Sequence, residues 1–352
     1  MRFFLSGYYG YDNAGDEAVL ACVLAHIGAQ TSNPHFVVTS GAPAQTEATH
    51  AQREYSLQGV GRDDWKNIWR EIKNCDAFIS GGGSLLQDVT SLRNIAYYTG
   101  LIRMAQAARK PVMIYAQGIG PLRKPLSQKL TRAALNHRFT RAVSVRDPES
   151  KLLLEKIGVR KNIEITADPV WALNVESHKP QAKSQHPVWC VSLRSWLDAS
   201  TPSAERDLLD AIRKAAQKAN ATLKFLAMQP ARDRALIESL GVENQEILPT
   251  ENLHPREIMA LAGQCDLMIA MRLHALIFAA AQGVPCVAVS YDPKVASLAK
   301  LIGAPIVCDT SESELAKLQS TDSIPAPSTP FVAQMQSKSR RNAELAAQLS
   351  LS

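Results

Sequence analysis

"CDLMIAMRLHALIFAAAQGVPCVAVSYDPK", residues 265–294, sets the fold. A short apolar β-like run ends in a turn, and an apolar helix follows and stops at Gly283 and Pro285. A second β-like run then opens another turn. Strand, helix, strand is the signature of two parallel strands joined by a crossover. Arg272 and His274 fall where the first strand gives way to the helix. The first amides of a helix lack partners and carry the positive end of its dipole, so an arginine and a histidine there make an anion site. The arginine fork suits a carboxylate or a phosphate. A lone histidine beside an apolar helix reads equally well as a core residue; its pairing with Arg272 is what points to a ligand. Lys294, after "SYDP", ends the neighbouring strand and is expected to reach the same ligand.

The same alternation runs outward through the chain and predicts an α/β protein with parallel sheets. In the first half, strands are expected at "RFFLS", "HFVVTS", "DAFISG", "PVMIYAQ", "AVSVRD" and "IEITAD", with helices such as "DEAVLACVLAHIG" and "LSQKLTRAALNH" among them. The former is apolar around most of its circumference, as a covered helix would be. Polar, proline-bearing "NVESHKPQAKSQHP" (174–187) reads as a linker. Strands resume at "VWCVSLR", "TLKFLAMQ", "QEILP", "CDLMIAM" and "PCVAVSY". The expected organisation is a Rossmann-like domain over 1–175, a second over 186–320, and a Pro/Ser-rich exit with a terminal helix over 321–352. Two doubly wound halves facing across a cleft would bind ligands at the C-terminal ends of their strands.

Three more strand-end loops carry candidate chemistry. "SGYYGYDNAGDEAVL" (6–20) has glycines spaced G-x2-G-x4-G, unlike a dinucleotide fingerprint, and no P-loop lysine follows. Asp16 as an N-cap and Glu17 as a first-turn acid would account for part of its acidity. Asp12 and Asn13 remain, and such a cluster of acceptors suits sugar hydroxyls better than phosphates. "FISGGGSLLQD" (78–88) offers Gly81, Gly82 and Gly83 for close backbone approach. Ser84 is placed to cap the next helix, and Gln87 and Asp88 to project from its first turn. "SVRDPES" (144–150) puts Arg146 at a strand end, as a ligand group or as a surface partner of Asp147. "QGIGP" (117–121) presents Gln117 as an exposed polar group.

Composition excludes several classes. The 352 residues are 46% hydrophobic and 20% charged, a globular balance, with a formal charge of +6. That excess favours anionic ligands but is too diffuse for nucleic acid, and "KSRR" (338–341) reads as a solvated helix face. The six cysteines are scattered, mostly in apolar runs, which suggests reduced thiols and a reducing compartment. Neither a metal-ligand spacing nor G-x-S-x-G occurs. Without a leader-like apolar region or a spanning run of ~20 apolar residues, a cytoplasmic protein is expected.

Taken in order, "LSGYYGYDNAGDEA", "ISGGGSLLQD", "YAQGIGPL", "SVRD", "ADPV" and "MRLHALIFAAAQGVP…YDPK" resemble the polysaccharide pyruvyl transferases, specifically the CsaB type, over about residues 1–300. The resemblance implies two Rossmann-like domains similar to the GT-B glycosyltransferases. It also implies a reaction: pyruvate passes from phosphoenolpyruvate to two hydroxyls of a sugar as a cyclic ketal. The sugar is often an N-acetylmannosamine of a cell-wall polymer or its lipid-linked precursor. Phosphoenolpyruvate is then a co-substrate, and no cofactor or metal is expected. The donor set becomes Arg146, Arg272, Leu273, His274 and Lys294. His274 is the expected general acid and Asp16 the base or acceptor-positioning carboxylate, with Arg272 stabilising charge. The acceptor set is Asp12, Asn13, Asp16, Glu17, Gly81, Gly82, Gly83, Gln87 and Gln117. A lipid-linked acceptor would bring the protein to the inner membrane face, where its positive charge would help. Two other readings share the scaffold: a nucleotide-sugar glycosyltransferase, with Glu251 or Glu257 on the ribose, and a non-catalytic sugar-binding protein.

Overall fold

The computed structural model describes residues 1–89, 92–175, 186–195, 204–319 and 324–349. They form two compact units, each a parallel sheet with helices on its crossovers. The first unit carries β1 (Arg2–Tyr9), α1 (Ala14–Ala29), β2 (His35–Ser40), α2 (Pro43–His50), β3 (Ser56–Gly61) and α3 (Trp65–Asn74). It continues with β4 (Ala77–Ser80), α4 (Leu92–Ala107), β5 (Val112–Gln117), α5 (Pro125–Leu135), β6 (Thr140–Val145), α6 (Pro148–Lys156) and β7 (Ile163–Ile165). Strand order is β3-β2-β1-β4-β5-β6-β7. The order reverses direction at β1 and β4, which places a ligand crevice at the C-terminal ends of those two strands. Those ends are the "GYYGYDNAGD" turn and the "GGGS" loop.

The second unit carries β8 (Val188–Ser192), α7 (Ala204–Lys218), β9 (Thr222–Phe225), α8 (Pro230–Ser239), α9 (Pro255–Gly263) and β10 (Leu267–Ala270). α10 (Leu273–Ala280), β11 (Cys286–Val289), α11 (Pro293–Ile302), β12 (Ile306–Val307) and α12 (Glu312–Leu315) follow. Its order, β12-β11-β10-β8-β9, reverses at β8 and β10. β8, β10 and β11 are wholly apolar or nearly so because both faces are covered.

Burial explains the helix patterns. Ala18 through Leu24 of α1 are all buried, so the helix is apolar on every side, as its sequence suggested. The last helix, α13 (Thr329–Gln348), behaves differently: from Met335 onward it groups with the first unit. Fully buried Asn342 accepts from Ser144 Oγ (2.7 Å) and Thr166 Oγ1 (2.9 Å) at the ends of β6 and β7. Ser339 Oγ donates to the Pro169 carbonyl at 2.9 Å. Within "KSRR", Lys338 and Arg340 are solvated as expected, whereas Ser339 is an interface residue and Arg341 pairs with Glu164 and Glu344.

Three sequence expectations need correction. "QEILP" forms a 3₁₀ turn over Asn244–Glu246 with one isolated bridge to Phe225, because two paired residues do not make a strand. β3 and β12 were missed: "SLQGVG" alternates weakly, and "IV" is too short to register as a run. The proposed linker lies largely outside the described residues, as do 320–323 of the Pro/Ser-rich exit.

Candidate active site

In the first unit the turn after β1 is built around Glu17. Its Oε1 accepts from the Gly10 amide (2.7 Å), and its Oε2 lies 2.8 Å from His50 Nε2. Gly10 has φ +76°, and a Cβ there would strike Ser40 Oγ at 2.0 Å, so glycine is required. The helix cap lies three residues earlier than expected. α1 starts at Ala14, Asn13 Oδ1 accepts from the Gly15 amide (3.1 Å), and Asp16 sits inside the first turn. Asn13 therefore does the capping assigned to Asp16, and Glu17 secures the turn. Asp16, half-buried, is left as the acid that faces the loop after β4: its Oδ1 lies 3.2 Å from where a Gly83 side chain would begin. Asp12 is exposed at φ 53°.

Packing explains most of "GGG". The ring of Tyr9 fills the side-chain space of both Gly7 and Gly81, with its hydroxyl 2.2 Å from a Cβ at 81. Val19 and Pro169 fill the space at Gly82. Gly83, at φ +90°, is the member with both a conformational need and the Asp16 carboxylate beside it. Burial, and then the charges of Asp16 and Glu17, push the Tyr9 phenol well above its usual range. It stays protonated, and its buried hydroxyl has no hydrogen-bond partner among the described residues.

Other expectations for this unit do not hold. No helix follows "GGGS" directly; α4 begins at Leu92, so Ser84 caps nothing and instead accepts from Arg146 Nη2 at 3.0 Å. Asp88 does not project from a helix: its carboxylate accepts from the amides of Arg123 and Lys124. Burial opposes its ionisation, but those two amides outweigh it and hold the pKa below the usual value. Gln87 closes a local turn, its Oε1 accepting from the Val89 amide. Gln117 is fully buried rather than exposed, donating to Ser80 Oγ at 2.7 Å. Arg146 is neither at the surface nor mainly paired with Asp147, which caps α6. Its guanidinium donates to Asp168 Oδ2 at 2.8 Å and lies flat on Gly118, where a Cβ would come within 2.7 Å. Arg146 thus ties the loop after β4 to Asp168.

The tyrosines of "GYYGY" were overlooked. Tyr8 and Tyr11 stack at 4.3 Å, and Arg62 donates to the Tyr11 hydroxyl while covering the Tyr97 ring at 4.3 Å. Three tyrosines in four positions was the available signal.

In the second unit the Arg-Leu-His turn lies where the sequence put it. Arg272 is the N-cap of α10 and Leu273 its first residue, so the amides of Leu273, His274 and Ala275 begin the helix unsatisfied by it. Arg272 Nη2 is held by Asp233, which is 1% exposed and whose other oxygen accepts from the Gln229 amide (2.9 Å). A buried carboxylate fixed by its own backbone makes Arg272 a positioned cation. Asp12–Gly15 groups with this unit: the Ala14 amide donates to the Met228 carbonyl (2.8 Å), and Gly15 lies on the His274 ring. A Cβ at 15 would come within 2.1 Å of His274 Nδ1. Lys294 stands in the first turn of α11, which Asp292 caps. The two acids offered for a nucleotide ribose have other partners. Glu257 closes the capping box of α9, and Glu251 pairs with Arg234.

Among the described residues no group of His, Cys, Asp or Glu is arranged to hold a metal ion, and no helix is long and apolar enough to cross a membrane. The two parallel sheets with their crossover helices make two Rossmann-like units, a fold similar to that of GT-B proteins. The polysaccharide pyruvyl transferase family model matches residues 13–293, and the chain belongs to that family. Membership implies a transferase that acts on a sugar or polysaccharide acceptor. A search of curated proteins finds no match. Among solved structures, UDP-GlcNAc 2-epimerase from Methanocaldococcus jannaschii is similar, with 12% identity, 98% and 99% of the two chains covered, and a TM-score of 0.65. S. aureus MnaA, solved with UDP, matches at 10% identity over 100% of this chain and 94% of that one, with a TM-score of 0.63. The spinosyn rhamnosyltransferase SpnG matches at 12% identity over 98% and 95%, with a TM-score of 0.51. At these identities the likeness describes the fold alone.

Proposed function

We propose that the chain transfers pyruvate from phosphoenolpyruvate to two hydroxyls of a sugar, as a cyclic ketal. The acceptor is a sugar of a surface polysaccharide or of its lipid-linked precursor. The observation that carries this reading is the start of α10, where Arg272, anchored by buried Asp233, and His274 stand at the N-terminal end of the helix. That arrangement suits a small ligand with a phosphate and a carboxylate.

The chemistry balances without a redox partner. His274 gives a proton to C3 of the donor, making a methyl group and a cationic C2. One sugar hydroxyl forms a C–O bond to C2, and the bond from C2 to the phosphate oxygen breaks with its electron pair. The second hydroxyl closes the ketal. Of the two hydroxyl protons, one ends on the methyl group, by way of His274, and the other on phosphate. A histidine suits the first step because an imidazole can both give and take a proton. Asp16 orients the acceptor and takes its proton, while Arg272, Lys294 and the helix amides meet the negative charge leaving C2. Arg146 serves this reading by holding the loop after β4, and Glu17 and Asn13 by shaping the acceptor turn.

The test is acceptor-dependent phosphate release from phosphoenolpyruvate. Arg272→Ala and His274→Ala should each lose it by about a hundredfold or more. Undiminished release by either variant removes the donor assignment.

A further inference from the structure

We propose that Arg194 is a second donor-binding arginine, held in place by Tyr291, and that it receives one of the two anionic groups of phosphoenolpyruvate. The proposal rests on the donor reading above and adds a residue that reading did not include.

Topology supplies the first argument. Ser192 of β8 pairs with Ala270 of β10, which pairs with Ala288 of β11. Arg194 and Arg272 stand two residues beyond their paired positions and Tyr291 three beyond, so all three leave the same edge of the sheet. β8 and β10 are also the strands at which this sheet reverses order, the position where open α/β sheets bind ligands. The two arginines therefore flank that switch point.

The side chains supply the second argument. β8 and β11 are not neighbours; β10 lies between them. Even so, the Arg194 guanidinium lies over the Tyr291 ring, 4.6 Å from its centre, and donates from Nη1 to its hydroxyl. The contact therefore passes over the end of β10, above the turn that starts α10. Burial pushes the Tyr291 phenol up, and the charge of Arg194, with a smaller effect from Arg272, opposes that rise. Each is anchored by one nitrogen, Arg272 by Asp233 and Arg194 by Tyr291. Each also has a buried Nε with no partner among the described residues. Two anchored forks with donor edges left over make a receptor for a ligand bearing two anionic groups. An ordinary stabilising arginine would instead be expected to meet a carboxylate, and among the described residues no ion pair to Arg194 is present.

The experiment compares wild type with Arg194→Gln, Arg194→Lys and Tyr291→Phe, by phosphate-release kinetics and by melting with and without phosphoenolpyruvate. Arg194→Gln should raise the KM for phosphoenolpyruvate about tenfold to a hundredfold with kcat within a few-fold. It should also lose most of the ligand-induced rise in Tm. Arg194→Lys should fall between it and wild type, and Tyr291→Phe should raise KM several-fold. An Arg194→Gln protein with wild-type KM overturns the proposal, as does one whose only change is a lower Tm without ligand. If wild type itself neither turns over nor is stabilised by phosphoenolpyruvate, the donor reading falls first. That outcome is distinct from a normal wild type with an indifferent Arg194.

Discussion

A methyl group at position 15 has no room, because the His274 ring already occupies the place where it would start. The glycine is therefore a spacing device for the histidine, and its role is absent from any list of reactive groups. Gly15→Ala should displace the ring and cut kcat about tenfold to a hundredfold, since a shift of roughly 1 Å is enough to do so. The change in Tm should be small by comparison. Steady-state phosphate release with saturating donor checks this, and an alanine variant with normal kcat would show that the ring position is unimportant. The position of these side chains at strand ends was legible from sequence, but the division of labour among neighbours was not. The order Asp12, Asn13, Asp16, Glu17 fits several helix starts. Only the backbone shows that Asn13 caps, Glu17 clamps Gly10, and Asp16 faces Gly83. The exposure expected of Gln117, and of Arg146 as a surface partner of Asp147, failed for the same reason: a polar side chain after a strand can turn inward to Ser80 or to Asp168.

Elements were easier to read than their ends. Buried parallel strands such as "VWCV" and "LMIA" are unbroken apolar runs, and six of the seven strands in the first sheet stood out as mainly apolar runs. The exception, β3, is an edge strand exposed on part of its length, so water relaxes the pattern. The loop after β4 misled because glycine-rich turns usually open directly onto a helix, whereas here several residues, Asp88 among them, intervene before α4. The terminal helix was expected, but not its place in the first unit, because α13 meets that unit through hydrogen bonds as well as apolar contacts. Asn342 satisfies the hydroxyls of Ser144 and Thr166 and donates to the carbonyls of Ala167 and Ser339. Asn342→Ala removes these four hydrogen bonds from a buried site, though the two hydroxyls keep the Ile114 and Val145 carbonyls, and should lower stability by about 1–3 kcal/mol. Urea unfolding followed by a probe in the first unit measures this; an unchanged midpoint would make the helix a passenger.

Two sheets of similar winding, with seven and five strands, show how little the fold alone says about the ligand. Epimerases and a rhamnosyltransferase share it at 10–12% identity. The competing readings therefore separate by binding. A ligand that recognises only the folded state raises Tm, by about 2.7 kcal/mol of stabilisation at a hundred times its Kd. Phosphoenolpyruvate should raise the Tm of this protein while UDP and GDP sugars at equal concentration do not. The reverse pattern would favour a nucleotide-sugar enzyme. The chain's path through its two units has a further consequence, in time rather than in space. Residues from Met335 onward belong to the unit that begins at Met1, and the 161 residues Asn174–Gln334 are made before them. At about 5–20 residues per second, a ribosome needs roughly ten to thirty seconds to cross that stretch. Throughout that interval the ends of β6 and β7 wait without Asn342, so the part of the protein begun first is finished last.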